Sequence, residues 1–229
     1  MKKIEENLLA SFFFTLEESP FKELFSIQDF AWHPLHLLES FLERQKLGKI
    51  ETSIPASAHL ELPSLISIGE NTVVEPGAYI KGPCIIGKNC VVRHGAYIRG
   101  NVLAGDGCLI GHNTEIKHSI LLQDVHAAHF AYIGDSILGN GVHLGAGVKC
   151  ANYRLDGQEV TIWHKGEKWA TGLKKMGAII GDHTHIGCNS VLNPGTLVGK
   201  KTLSHPLVTL QGFIPAGSIV KSLAKVGLL

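Results

Sequence analysis

Eleven apolar residues recur at an unbroken spacing of six: Ile68, Val74, Ile80, Ile86, Val92, Ile98, Ala104, Ile110, Ile116, Leu122 and Ala128. Gly, Glu, Lys or Arg follows most of them. A period of six suits neither a helix of 3.6 residues per turn nor a simple alternating hairpin. It suits a parallel β-helix, in which six residues make one short strand and a corner, and three strands close a triangular coil of about eighteen residues. The aliphatic residue points inward and stacks on its counterpart in the next coil, at roughly the 4.8 Å strand spacing. The expected fold class is therefore all-β: a parallel β-helix of hexapeptide repeats, with a short helical segment at the N-terminus.

Composition agrees with a core of small aliphatics: 45% of the 229 residues are hydrophobic and only 7% aromatic. The formal charge is +1 and no basic block occurs, so nucleic acid is not an expected partner. Cys84 and Cys90 are six apart, and Cys90 and Cys108 eighteen apart, which places them at equivalent points of the repeat. They read as small stacked core residues rather than disulfides or metal ligands. A reducing, cytoplasmic compartment is expected. Met1-Lys2-Lys3 followed by Leu8–Phe14 is a poor signal peptide, because Glu5 and Glu6 interrupt it and Glu17 and Glu18 follow closely. No apolar run reaches about 18 residues, so no membrane insertion is expected.

The repeat divides the chain. Residues 1–48 hold seven of the nine Phe, with Leu35, Leu38 and Leu42 at helical spacing and Pro20 and Pro34 as punctuation. Two or three short helices are expected there, as a cap on the open end of the coil or against a neighbouring subunit. Residues 49–149 are coil, with the spacing shortening from six to five between Ile133 and Leu138. Residues 150–178 break the period with Trp163, His164, Lys165, Lys168, Trp169, Lys174 and Lys175, and read as a long functional loop thrown out from the coil. Coils resume over 179–206 at Ile180, Ile186, Leu192 and Val198, and 207–229 reads as an aperiodic closing tail.

Eighteen-residue coils bring distant residues together. Arg99 and Lys117 are eighteen apart and each follows an inward residue, so both should point outward from neighbouring strands. Two such cations repel unless an anion lies between them, and a phosphate is a good candidate; two ordinary solvated cations are the alternative. His94 and His112 share the same spacing, and His118, His126, His129 and His143 crowd the same end. Zinc-binding β-helices of the γ carbonic anhydrase type carry a His-x4-His pair. No two His here have that spacing, so no metal is expected. His129, next to the end of the regular series, is the side chain best suited to accept a proton near neutral pH.

The run Ala127-Ala128-His129-Phe130-Ala131-Tyr132-Ile133-Gly134-Asp135, then Leu144-Gly145-Ala146-Gly147, then Asn152-Tyr153, resembles a known family. It is similar, over roughly residues 66–206, to the C-terminal acetyltransferase domain of the bifunctional N-acetylglucosamine-1-phosphate uridylyltransferase/glucosamine-1-phosphate acetyltransferases. The stretch Gly172-Leu173-Lys174-Lys175-Met176-Gly177-Ala178 resembles the archaeal-type members, which carry a longer loop. The resemblance implies a left-handed coil, acetyl-CoA as co-substrate and a sugar phosphate as acceptor. It puts the general base on His129, sugar-phosphate contacts on Arg99, Lys117 and Tyr132, the acyl and amine end of the site on Asn152 and Tyr153, and the coenzyme arm against Ala146 and Cys188. A sugar-contacting Asn of the bacterial family is His143 here, its usual Ser near the coenzyme is Cys188, and a Lys beyond the Asn-Tyr pair is absent, Gln158 standing at the ungapped position. The family's nucleotidyltransferase half and its Gly-rich loop do not occur in these residues, so nucleotidyl transfer by this chain alone is not expected, and a separate nucleotidyltransferase becomes a candidate partner.

The expected activity is acetyl-CoA-dependent N-acetylation of a hexosamine 1-phosphate, glucosamine 1-phosphate first. Arg99 and Lys117 hold the phosphate, Tyr132 and His143 orient the sugar, and His129 takes the ammonium proton. A backbone N–H at Gly145-Ala146-Gly147 is a candidate donor to the oxyanion. His129 and Lys117, twelve apart, fall on different faces of the prism, so a cleft between two prisms is needed. Hexapeptide acyltransferases are typically trimers with sites at such boundaries. A homotrimer with three sites is expected, each lined by the 150–178 loop. Two alternatives stand beside this: a non-catalytic sugar-phosphate-binding or assembly module, and transfer of longer acyl chains to a nucleotide sugar.

Overall fold

The structure, a computed structural model, describes residues 5–17, 19–26 and 28–221. They form a left-handed parallel β-helix: three parallel sheets of eight strands each, plus one antiparallel hairpin. Every face takes every third strand of the coil. The first face begins at His59–Glu61, the second at Ile66–Ile68 and the third at Val73–Val74. Strands are two to four residues long because the corners turn through left-handed residues. Asn supplies several of these, as at Asn71, Asn89, Asn101, Asn113 and Asn189, since its short amide tolerates positive φ.

The prism interior is the predicted aliphatic column. Ile68, Val74, Ile80, Ile86, Val92, Ile98, Ala104, Ile110 and Ile116 are all buried in it. Cys84, Cys90, Cys108 and Cys150 are free thiols within the same core. Cys90 donates to the Gly105 carbonyl at 3.2 Å and Cys108 to the Leu122 carbonyl at 3.1 Å. Burial pushes the Cys84 and Cys150 thiols up to about 12, so neither ionises near neutrality.

The register departs from the regular series before Ile133. Leu121 and Ala127, not Leu122 and Ala128, enter the interior. The reason is a corner one residue short: His118 alone does the work of Gly100 and Asn101, donating its backbone N–H to Gly100 O while Ser119 donates to Asn101 O. The next coil repeats this at Asp135, giving the spacing of five between Ile133 and Leu138. Leu122 consequently points outward and is buried in a second hydrophobic cluster.

That second cluster covers the outer surface of the second face. Leu103, Ile120, Leu122, Ile137, Ile179 and Leu197 contribute from the prism. Phe13, Trp32, Leu35, Leu38 and Leu42 lie over them, carried by the one-turn helix α1 (Ala10–Phe13) and by α2 (His33–Arg44). In α2, Pro34 sits in the first turn, where no donor is lost, and Leu35, Leu38 and Leu42 share one face. The N-terminal segment therefore clads a flank of the prism and is not a plug on its open end: its large apolar side chains are matched by the outward aliphatics of the second face, at about 1.5–3 kcal/mol per side chain buried.

Asp182 fastens this cladding. Its buried carboxylate accepts from Thr15 N at 2.7 Å, Asn140 N at 2.8 Å and Asn140 Nδ2 at 3.1 Å, and Lys200 Nζ lies 3.4 Å away. Its own N–H donates to Phe13 O at 2.9 Å. Asp182→Ala strands these donors, each at a cost of about 1–3 kcal/mol. Limited proteolysis should then cleave faster within residues 5–45, with a lower melting temperature overall.

Residues 150–178 leave the coil between the strands Lys149–Cys150 and Ala178–Ile180 and carry a hairpin, Thr161–His164 paired antiparallel with Glu167–Ala170. Val160, Ile162, Trp169 and Met176 fold it back onto the second cluster. One further expectation is corrected: the period does not end at Pro206. Strands continue at Thr209–Leu210, Phe213–Ile214 and Ile219–Val220, one on each face. Residues 222–229 of the expected closing tail lie outside the described residues.

The hairpin buries a titratable ring. His164 is 7% exposed, its Nε2 has no hydrogen-bond partner, and it meets Phe213 edge-on at 4.4 Å. Burial, then Lys165, lowers its pKa from the ordinary 6.5, with Glu5 opposing. The unfolded chain therefore binds this proton more readily than the native one. The His164 contribution to stability is full above about pH 6.5 and is lost as pH falls through the lowered native value. His164→Gln should flatten the drop in urea midpoint between neutral pH and pH about 5.

Candidate active site

The short corners lie at the edge between the first and second faces, and that edge assembles the charged part of the site. Ile98 is registered with Ile116, and Ile116 with Ile133, so Arg99, Lys117 and Gly134 follow one another up the edge. Neither cation is bare. Arg99 Nη1 pairs with Glu115 Oε1 at 2.6 Å, on the surface. Lys117 Nζ sits 3.2 Å from Asp135 Oδ1 and 2.9 Å from Oδ2, with the carboxylate nearly buried. Asp135 Oδ2 also accepts a short hydrogen bond from Asn152 Nδ2.

Tyr132 stands beside this group on the first face. Burial is the main cause raising its pKa, followed by Asp135 and Glu115; a hydrogen bond from Asn152 and the Arg99 charge oppose them. Lys117, Tyr132 and Asn152 are thus brought together, with Arg99 alongside. Sequence reasoning gave no role to Glu115 or Asp135, the carboxylates that balance the cations. The signals were present: Glu115 is two residues before Lys117, on the same side of one strand, and Asp135 is eighteen after Lys117 and seventeen before Asn152.

The remaining predicted residues lie elsewhere. His129 ends the strand His126–His129 on the third face, opposite His112, at the corner leading into the first face. Only Phe130 and Ala131 separate it from Tyr132. Its carbonyl accepts from Gly147 N at 3.0 Å, and its side chain is exposed. It follows the outward Ala128, not an inward residue. His94, His112 and Phe130 form a ring column along this corner, with centroids 5.6 Å and 5.2 Å apart.

His143 is on the third face, between His126 and His185 in direct register. Ring centroids are 6.1 Å and 5.7 Å apart. Burial first, then His185 and His126, lower its pKa, favouring the neutral ring. Ala146 and Cys188 are neighbours one coil apart at the corner that follows the third-face strands His143–Leu144 and His185–Ile186, the corner His129 also occupies: Asn189 N donates to Ala146 O at 2.8 Å, and Cys188 is exposed. Tyr153 is half-exposed, bridges to Lys175 at the root of the excursion and lines an open hollow of about 400 Å³ with Arg154, Leu155, Asp156, Asn193 and Pro194. One prism therefore divides the predicted set between two faces, with His129 at the corner they share.

Residues 80–166 match a family described as the GMPPB C-terminal domain, and residues 177–202 match the hexapeptide repeat of succinyl-transferase. A bifunctional sugar-1-phosphate nucleotidylyltransferase/acetyltransferase of Sulfurisphaera tokodaii is 29% identical over 184 residues, 80% of this chain and 44% of that protein. The bifunctional protein GlmU of Methanococcus vannielii is 36% identical over 84 residues, 37% of this chain and 20% of that protein. The chain thus spans less than half the length of these two relatives. An uncharacterized acetyltransferase, YaiX, of Escherichia coli is 34% identical over 153 residues, 67% of this chain and 66% of that one. Among solved structures, UDP-N-acetylglucosamine acyltransferase from Campylobacter jejuni shares the fold, with a TM-score of 0.50 and 18% identity over 73% of this chain and 69% of that one.

Proposed function

We propose that this chain, which is similar to hexapeptide-repeat acetyltransferases, transfers an acetyl group from acetyl-CoA to the amine of a hexosamine 1-phosphate, glucosamine 1-phosphate first. The observation that carries the reading is the cluster of Lys117, Asp135, Asn152 and Tyr132, with Arg99 beside it and His129 at the opposite edge of the same face. Arg99 and Lys117 bind the phosphate by exchanging part of their carboxylate pairing for phosphate oxygens. Tyr132 and His143 orient the sugar. His129 takes a proton from the sugar ammonium, which frees the nitrogen lone pair for attack on the thioester carbon. The C–N bond forms and the C–S bond breaks; of the two protons the nitrogen gives up, one passes from the imidazolium to the departing thiolate and the other, lost from the nitrogen as the amide forms, leaves to solvent. Holding two substrates in attack geometry contributes more than the base alone.

The reading includes a homotrimer. The second face is covered by the chain's own N-terminal cladding and hairpin, which leaves the first and third faces for neighbouring copies. A boundary there brings the third-face His143 and the corner positions Ala146 and Cys188 of one copy toward the first-face cluster of the next.

A second reading, binding without turnover, draws on the carboxylates that already neutralise Arg99 and Lys117. Thiol release from acetyl-CoA separates the two. With glucosamine 1-phosphate and galactosamine 1-phosphate as acceptors, turnover on either supports the enzyme. Silence on both, with either bound in a calorimeter, supports the binding module.

A further inference from the structure

We infer that Asp135 is a positioning residue that sets Lys117, Asn152 and Tyr132 as one unit and ties that unit to the root of the hairpin excursion. The inference deepens the reading of this edge as a sugar-phosphate site and rests on it.

Asp135 is 5% exposed. A carboxylate so placed needs charged or hydrogen-bonding partners to offset its desolvation. It takes them from the coils on either side: Lys117 Nζ from one, Asn152 Nδ2 from the other. Asn152 Nδ2 and the Tyr132 hydroxyl close over the same glycine, each 2.7 Å from a Cβ built on Gly134. The backbone locks the same residue. Asp135 N donates to Lys117 O at 3.1 Å, and its carbonyl accepts from Gly177 N at 2.8 Å, where the excursion returns. Met176 N donates to Asn152 O at 2.9 Å, where it leaves.

A lysine on four methylenes samples many rotamers when unpaired, and each must be given up on binding. Asp135 removes that freedom beforehand. The Arg99–Glu115 pair is different: it is exposed and holds its cation only loosely. Lys117 is therefore the preset half of the anion site and Arg99 the adaptable half.

Asp135 has φ +48°, the left-handed corner that replaces two residues in earlier coils. Asn tolerates this conformation and has nearly the same shape, so Asp135→Asn keeps the corner. Its amide offers one acceptor oxygen to two donors, and its NH2 must face either the ammonium or the Asn152 amide.

The test compares wild type, Asp135→Asn, Lys117→Met and the double variant, with melting curves as the folding control. KM for glucosamine 1-phosphate should rise at least about tenfold in Asp135→Asn, with KM for acetyl-CoA within about twofold. The double variant should be scarcely worse than Lys117→Met alone, as expected of residues acting through one another. Equal rises in both KM values, or additive losses, would overturn the proposal. Amidination by methyl acetimidate, read by peptide mass spectrometry, needs no substrate. Freed of its partner, Lys117 should react at least about threefold faster relative to the exposed Lys168. An unchanged ratio overturns the positioning role even if every sugar phosphate tested is inert, whereas inert wild type with an accelerated Lys117 sinks the proposed reaction alone.

Discussion

Replacing His129 by alanine is expected to lower kcat for acetyl transfer by roughly 10²–10⁴-fold, the range that a positioned general base supplies. The acceptor ammonium carries the proton that blocks attack, and no other imidazole lies so near Tyr132 along the chain. His143 is on the third face, one coil above His126 and farther along the chain from Tyr132. The variant should remain folded. The His129 side chain is exposed, and the local register is held by backbone bonds such as Gly147 N to His129 O, which the substitution leaves alone. KM for the sugar phosphate should change little, because Arg99 and Lys117 sit at the other edge of the face. Thiol release under saturating substrates reads the result. A loss smaller than about tenfold would remove His129 from the proton transfer.

Gly111→Ala should be the most damaging single methyl in the molecule. Gly111 lies on the third face one coil from Ala128, and a Cβ built there falls directly on the Ala128 carbonyl. Backbone cannot swing aside as a side chain can, so the two coils must separate. Overpacking usually costs about 1–3 kcal/mol and here should reach or exceed the upper end. For a chain of this size, about 3 kcal/mol corresponds to a fall of roughly 6–12 °C in melting temperature. Ala128 precedes His129, so the same shift displaces the proposed base, and kcat should fall with stability. Gly166→Ala is the control: it bears the strain of a positive φ, which Gly111 does not have, but nothing lies within 4 Å of its added methyl. If Gly111→Ala melts no lower than Gly166→Ala, the contact between these coils is not tight.

Much of the site could be read in the chain. The period of six placed Arg99 over Lys117, and the structure sets them on neighbouring strands of one face. The family resemblance assigned Tyr132 and Asn152 to different ends of one expected site, and the structure brings both side chains over Gly134. What could not be read was what the cations face. Glu115 and Asp135 reach Arg99 and Lys117 across coils, and such pairing depends on corner geometry, which the period does not specify.

The prism itself followed from sequence alone, because a stack of inward aliphatics every six residues has one way to bury them. Its exact register around Leu121 did not. Leu121-Leu122 and Ala127-Ala128 are adjacent apolar pairs, so a coil one residue short satisfies the interior as well as a full one. Tertiary structure decided between them. The outer surface of the second face is itself buried, under Phe13, Trp32, Leu35 and Leu38, so Leu122 finds an apolar environment facing outward. The shortened corners follow from that choice, and one of them aims Asp135 at Lys117. Period determined which strands stack; packing between the prism and its own N-terminal cladding determined where the corners fall, because only that contact distinguishes two registers that the interior accepts equally.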